Sequence, residues 1–282
     1  AVEIHADEMT VAGKVRGNEV QLAAGKLSNQ GEVQAGQTLS WQGRELENSG
    51  SLQGDKRLVL KGEGLNNRGT LAGGNTLTVD AGQLTNTGRI ASQDVAIEAH
   101  QLKSDGTLLG VSRLFLDGDE LELTGQQLTD GELQLGSRLL QLSGQTLVGG
   151  KAQVTAEKGE FDGLLKAQSL VLAVDQAKSD GKLHSREGIA WQGQQLTTGP
   201  DSELIANQNV TLTGQKLTLG GTVGAGNALN IEGKQVGQTG ALVSGQALTI
   251  QADTLSLDGE TEAKAVEIHA DEMTVAGKVR GN

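Results

Sequence analysis

Apolar residues recur along the chain in pairs separated by a single residue, and the pairs themselves repeat at a near-constant interval. Val20 and Leu22, Leu39 and Trp41, and Leu58 and Leu60 are successive examples, each followed two residues later by a small residue, Ala24, Gly43 or Gly62. The first members of the series are Val2, Val20, Leu39, Leu58, Leu77, Val95, Leu114, Leu133, Ala152, Leu170, Ile189, Val210, Leu229, Leu248 and Val266. They are spaced by 18 or 19 residues, with one interval of 21, and span 264 residues in all. Seven residues after most of these anchors stands a third apolar residue, as at Leu27, Leu46, Leu65 and Leu84. Eleven residues after all but one stands glycine; the exception is the long interval, where Pro200 follows Gly199.

Side chains two residues apart share one face of an extended strand, whereas one face of a helix needs spacings of three and four. Each repeat is therefore a coil of short strands and turns, and the fold class is an all-β parallel β-helix, a solenoid of about 15 coils of about 19 residues. Residues 1–282 are expected to form one continuous segment. A single coil holds too few aliphatic residues to order its own backbone, so stability must come from stacking, with each strand bonded to its equivalents above and below. The recurrent glycines Gly31, Gly50, Gly69, Gly88, Gly125, Gly144, Gly221 and Gly240 read as turn residues that need positive φ.

A second column keeps the same step. Nine residues after the anchor, four consecutive coils carry Asn29, Asn48, Asn67 and Asn86, and the next carries Ser104. Amides stacked about 4.8 Å apart can bond along the axis as a structural ladder. Later coils place Leu123, Leu142, Phe161, Leu219, Leu257 and Val275 in that slot, so it accepts either filling.

Composition narrows the function classes. Two Trp, two Phe and no Tyr leave the core to small aliphatics, and 42 Gly against one Pro suit many turns of one shape. A net charge of −12 with no basic run disfavours nucleic acid as a partner. Absence of cysteine removes disulfides and thiolate metal sites.

Residues 1–18 reappear unchanged as residues 265–282, so the chain holds one 264-residue large repeat plus one repeated coil. The duplication implies either a natural tandem of large repeats or an extension of the chain by its own first coil. With no polar capping coil at either end, the segment reads as a piece of a longer rod whose bare strand edges invite pairing with another copy.

The segments Leu46-Glu-Asn-Ser-Gly50-Ser-Leu52, Leu65-Asn-Asn-Arg-Gly69-Thr-Leu71 and Leu84-Thr-Asn-Thr-Gly88-Arg-Ile90 resemble the filamentous haemagglutinin repeats of two-partner-secreted bacterial exoproteins. That family includes large adhesins and the effector proteins of contact-dependent growth inhibition. The resemblance is strongest from Leu27 to Gly106. It implies a right-handed parallel β-helix, passage through an outer-membrane transporter, and display at the Gram-negative cell surface or beyond it. The function so implied is a structural stalk that projects an adhesive or toxin-delivery module, joined to flanking β-helix of the same parent chain.

Candidate chemistry is sparse. His5, His100, His184 and His269 lack ligand spacing within any coil and read as exposed side chains. Asp117, Asp119 and Glu120, like Asp258, Glu260 and Glu262, read as a solvated charged face rather than as catalytic carboxylates. Trp41 and Trp191 share one inward slot and read as core, while Phe115 should face out as a candidate contact residue. No enzyme activity, cofactor or metal is expected. The alternative function is an adhesin module that binds a target-cell receptor or glycan through an exposed sheet face or a protruding loop near residues 197–207, with Thr198, Pro200 and Asp201 as contacts.

Overall fold

Alternation of apolar and polar residues becomes alternation of burial. In the strand Arg57–Asn67, Leu58, Leu60, Leu65 and Asn67 turn inward while Arg57, Val59, Lys61 and Glu63 face outward. The computed structural model describes residues 1–282, contains no helix, and is a parallel β-solenoid of about 15 turns with rungs about 19 residues apart. Coils are numbered 1 to 15 below, starting from the anchors Val2, Val20, Leu39 and so on.

Each coil is built from up to three strand segments. Coil 3 has them separately, Thr38–Gln42, Glu45–Asn48 and Ser51–Gly54. In coil 4 the first two merge into Arg57–Asn67, followed by Thr70–Gly73. Every resolved pairing is parallel and sets like positions side by side, for example Val20 with Leu39, Leu39 with Leu58, and Leu58 with Leu77. Unequal coil lengths are absorbed at the turns or by a local irregularity within a long strand. Between the paired strands Arg89–Ser104 and Thr107–Leu123 the offset changes from 18 at Arg89 and Thr107 to 19 at Asp94 and Arg113, with the irregularity between Ser92 and Asp94.

The chain falls into two compact units, Ala1–Arg138 and Leu139–Asn282. In the first, the interior columns are mostly aliphatic, with Trp41, the Asn slot and the buried polar residues Ser92, Gln127 and Thr129 as exceptions. The Trp41 indole N–H donates to Ala24 O at 3.1 Å. Its ring fits because Gly43 in its own coil and Gly62 in the next have no side chain; a Cβ on either would meet the indole. The second unit repeats the device, with Trp191 donating to Val174 O at 3.2 Å and Gly193 and Gly214 making room.

The turn glycines require a correction. Only Gly221 has positive φ, at 61°. At the others the constraint is the neighbouring coil, not the glycine's own dihedral. A Cβ on Gly50 would lie inside van der Waals contact of Gly31 O, one on Gly69 would meet Gly50 O, and one on Gly88 would meet Gly69 O. Gly125 stands in the same way over Gly106, Gly163 over Gly144, and Gly240 over Gly221. These carbonyls point along the stack because each accepts from the next coil: Ser51 N donates to Gly31 O and Thr70 N to Gly50 O, both at 2.9 Å. The glycine column is thus a consequence of rung-to-rung bonding through the turn.

Candidate interaction surfaces

The Asn slot is closed to solvent, since Asn29, Asn48, Asn67 and Asn86 are at most 2% exposed. Asn29 Nδ2 donates to Asn48 Oδ1 at 2.8 Å, Asn48 to Asn67 at 2.8 Å, and Asn67 to Asn86 at 2.9 Å. Asn86 ends the run by donating to Ser104 Oγ at 3.2 Å. Each amide also bonds to the glycine turn: Asn48 Nδ2 reaches Gly50 O at 3.2 Å and Thr70 O of the next coil at 3.1 Å. The lowest member lacks an amide beneath it, and Asn29 Oδ1 instead accepts from Gly31 N at 3.3 Å. Such a chain satisfies buried amides without water, and its place is the interior rather than a binding face.

The second unit fills the same slot with polar residues that sequence reasoning passed over. Ser179 Oγ donates to Phe161 O at 3.2 Å, and Thr198 Oγ1 to Gly220 O at 2.9 Å. Gln238 Nε2 donates to Gly240 O and, at 3.1 Å, to Glu260 O, while its Oε1 accepts from Gly259 N at 3.1 Å. Counting nine from each anchor would have found all three.

That count also corrects the contact loop. Thr198 is 4% exposed and points into the solenoid, so it cannot meet a partner. The two additional residues of coil 11 are confined to the turn between Gln195–Thr198 and Glu203–Ala206, where Pro200 and Asp201 are exposed. Strands on both sides keep register, Ser179 with Thr198 and Lys182 with Glu203. Ser202 Oγ donates back to Gly199 O at 2.7 Å and tightens the turn.

Outward side chains pair mainly with the neighbouring coil. Lys14 meets Glu32 at 3.3 Å, Arg113 meets Asp94 at 3.4 Å, and Arg138 meets Asp119 at 3.1 Å and Glu120 at 3.7 Å. Phe115 is half-buried, and the Arg113 guanidinium lies 5.2 Å from its ring centroid, which covers the one outward aromatic. Each histidine faces a carboxylate: His5 pairs with Glu3, His100 with Asp119, His269 with Glu267, and His184 with Glu203 at 2.7 Å. No three His, Asp or Glu side chains converge.

One concave outer face stands apart. In the second unit, the bends of coils 11 to 15 line a shallow polar groove of about 830 Å³ that includes Gln192, Gln194, Gln215, Lys234, Asp253 and Asp271. No family model, curated protein or solved structure matches the chain.

Proposed function

We propose that this chain is a structural stalk segment of a large bacterial exoprotein, exported through an outer-membrane transporter and displayed at the cell surface, where it holds an adhesive or toxin-delivery module away from the cell. The observation that carries the reading is the uninterrupted parallel register from coil to coil within each unit, with interior columns closed by aliphatics and amides. Such a fold adds length one rung at a time without a new core. The Leu-x-Asn-x-Gly segments that resemble haemagglutinin repeats are the ones that form the ladder and the glycine column, so the resemblance rests on residues with a mechanical role. A chain without cysteine is also suited to crossing an oxidising compartment unfolded. The proposed role is non-catalytic, in contact with flanking β-helix of the parent chain and not with nucleic acid.

Antibodies raised against the chain test the reading on intact cells of the parent bacterium. Surface labelling that external protease removes, and that disappears when the transporter gene is deleted, is the expected result. Labelling obtained only after lysis would contradict it.

A second reading has its own observation. The polar groove over coils 11 to 15, lined by amides and carboxylates with one lysine, offers an elongated hydrogen-bonding face of the kind an extended glycan uses. Glycan-array binding that Gln194→Ala and Gln215→Ala abolish would favour an adhesin module over a passive stalk.

A further inference from the structure

Across coils 11 to 14 the groove has a continuous floor and two polar rims. Its floor is the column Gly193, Gly214, Gly233 and Ala252, the fourth residue after each anchor. One rim, formed by Gln192, Thr213, Glu232 and Gln251, lies on the first strand segment of each coil. The other, formed by Gln194, Gln215, Lys234 and Asp253, follows the floor residue. Like positions are paired from coil to coil, Gln192 with Thr213, Thr213 with Glu232, and Glu232 with Gln251. Floor and rims therefore run along the solenoid axis for about 14 Å.

The floor is closed to further bonding. Gly193 and Gly214 rest against the Trp191 indole, and a Cβ on Gly233 would crowd Leu217 and Val236. Gly193 N donates to Thr213 O at 3.1 Å, Gly214 N to Glu232 O at 3.0 Å, and Gln215 N to Gln194 O at 3.0 Å. The rims are the opposite. Elsewhere outward side chains pair with the next coil, as Lys14 does with Glu32 and Arg113 with Asp94. None of the rim side chains is hydrogen-bonded or ion-paired to another protein group.

We propose that the groove takes an unbranched, neutral glycan laid along the axis and discriminates against chains bearing uronate, sialate or sulfate groups. The inference rests on the reading of this groove as a glycan site and adds the class of glycan. A sugar hydroxyl both donates and accepts, as a glutamine amide does, so Gln192, Gln194, Gln215 and Gln251 can match hydroxyls in either sense. An extended peptide has less to hold, because it needs free strand-edge groups for its backbone and pockets for its side chains. Here the floor N–H groups are bonded within the solenoid, and the floor is glycine and alanine. Rims on both sides of a floor one residue wide leave room for a single chain. Glu232 and Asp253 outnumber Lys234 on those rims, so a ligand with repeated anionic groups meets like charge while a neutral one does not.

Hexamers of cellulose, β-mannan and N-acetylglucosamine, and a hexamer of galacturonate, serve as probes. Binding is read by saturation-transfer NMR and, in a Trp41→Phe background, by emission of Trp191, whose indole lies under the floor. At least one neutral hexamer should bind, and Gln194→Ala with Gln215→Ala should abolish that binding in a chain whose unfolding midpoint is unchanged. Galacturonate should bind roughly tenfold more weakly than the neutral hexamer, by a margin that shrinks as salt is added. Glu232→Gln with Asp253→Asn should remove most of the margin and leave neutral binding as it was. Galacturonate binding as tightly as the neutral hexamers overturns the inference while leaving a glycan site in place. Absence of binding by all the hexamers removes the glycan reading together with it, and binding that survives the paired glutamine substitutions puts the site elsewhere and overturns the inference as well.

Discussion

Replacing Asn48 by leucine probes the ladder more sharply than truncation does. Leucine fits the slot, since Leu123, Leu142, Leu219 and Leu257 occupy it elsewhere at no more than 3% exposure. The substitution therefore leaves little cavity, and its cost is electrostatic. Asn29 Nδ2 loses its 2.8 Å acceptor but keeps Gly31 O at 3.3 Å and Ser51 O at 3.1 Å. Asn67 Oδ1 loses the donor 2.8 Å away and is left buried in a side chain 1% exposed. A buried acceptor without a partner costs about 1–3 kcal/mol, and the net loss of the other bonds adds roughly 1 kcal/mol. Asn48→Leu should thus destabilise the first unit by about 2–4 kcal/mol.

Replacing Asn29, Asn48, Asn67 and Asn86 together removes donors and acceptors alike, and should cost less than the single change, because paired removal of matched polar groups is close to neutral. Trp41, in the same coil as Asn48, reports unfolding by fluorescence in a Trp191→Phe background. The midpoint in urea gives the stability change provided the slope is unchanged. If Asn48→Leu unfolds at the parent's midpoint, or if the fourfold variant loses four times the single cost, the ladder is not the cooperative element described.

Two further outcomes follow from the turns. Gly69→Ala forces a methyl against Gly50 O and should cost about 1–3 kcal/mol, whereas Gly64→Ala, whose nearest neighbour is Glu45 Cγ at 3.9 Å, should be neutral or gain up to about 1 kcal/mol; urea midpoints measured side by side decide this. Deleting Pro200 and Asp201 should shift stability by no more than about 0.5 kcal/mol, while Thr198→Val, which strands Gly220 O, should cost about 1–3 kcal/mol, both read from thermal unfolding by circular dichroism.

The rung was legible because period-two pairs such as Leu58 and Leu60 recur at an interval that no helix produces. The Asn column was legible for the same reason: register arithmetic places like residues side by side. Glycine positions were readable, but their cause was not. A missing side chain in a sequence does not distinguish a dihedral that excludes Cβ from a neighbour that does, and the carbonyl of Gly50 beneath Gly69 becomes visible only in three dimensions. Thr198 was misplaced because proline and two additional residues suggested a broad loop, although its count from Ile189 put it in the buried slot. The groove over coils 11 to 15 left no mark in the sequence, since its walls come from bends of successive coils that are individually unremarkable.

The adjustments of register near Ser92 and at Pro200 and Asp201 also bear on how such a gene can change. A codon gained inside a strand would invert every downstream side chain of that strand, sending leucines to water and lysines to the core. The same codon gained between strands only bulges outward. Viable length mutations should therefore be of two sizes, a residue or two at the bends or one whole turn of the solenoid.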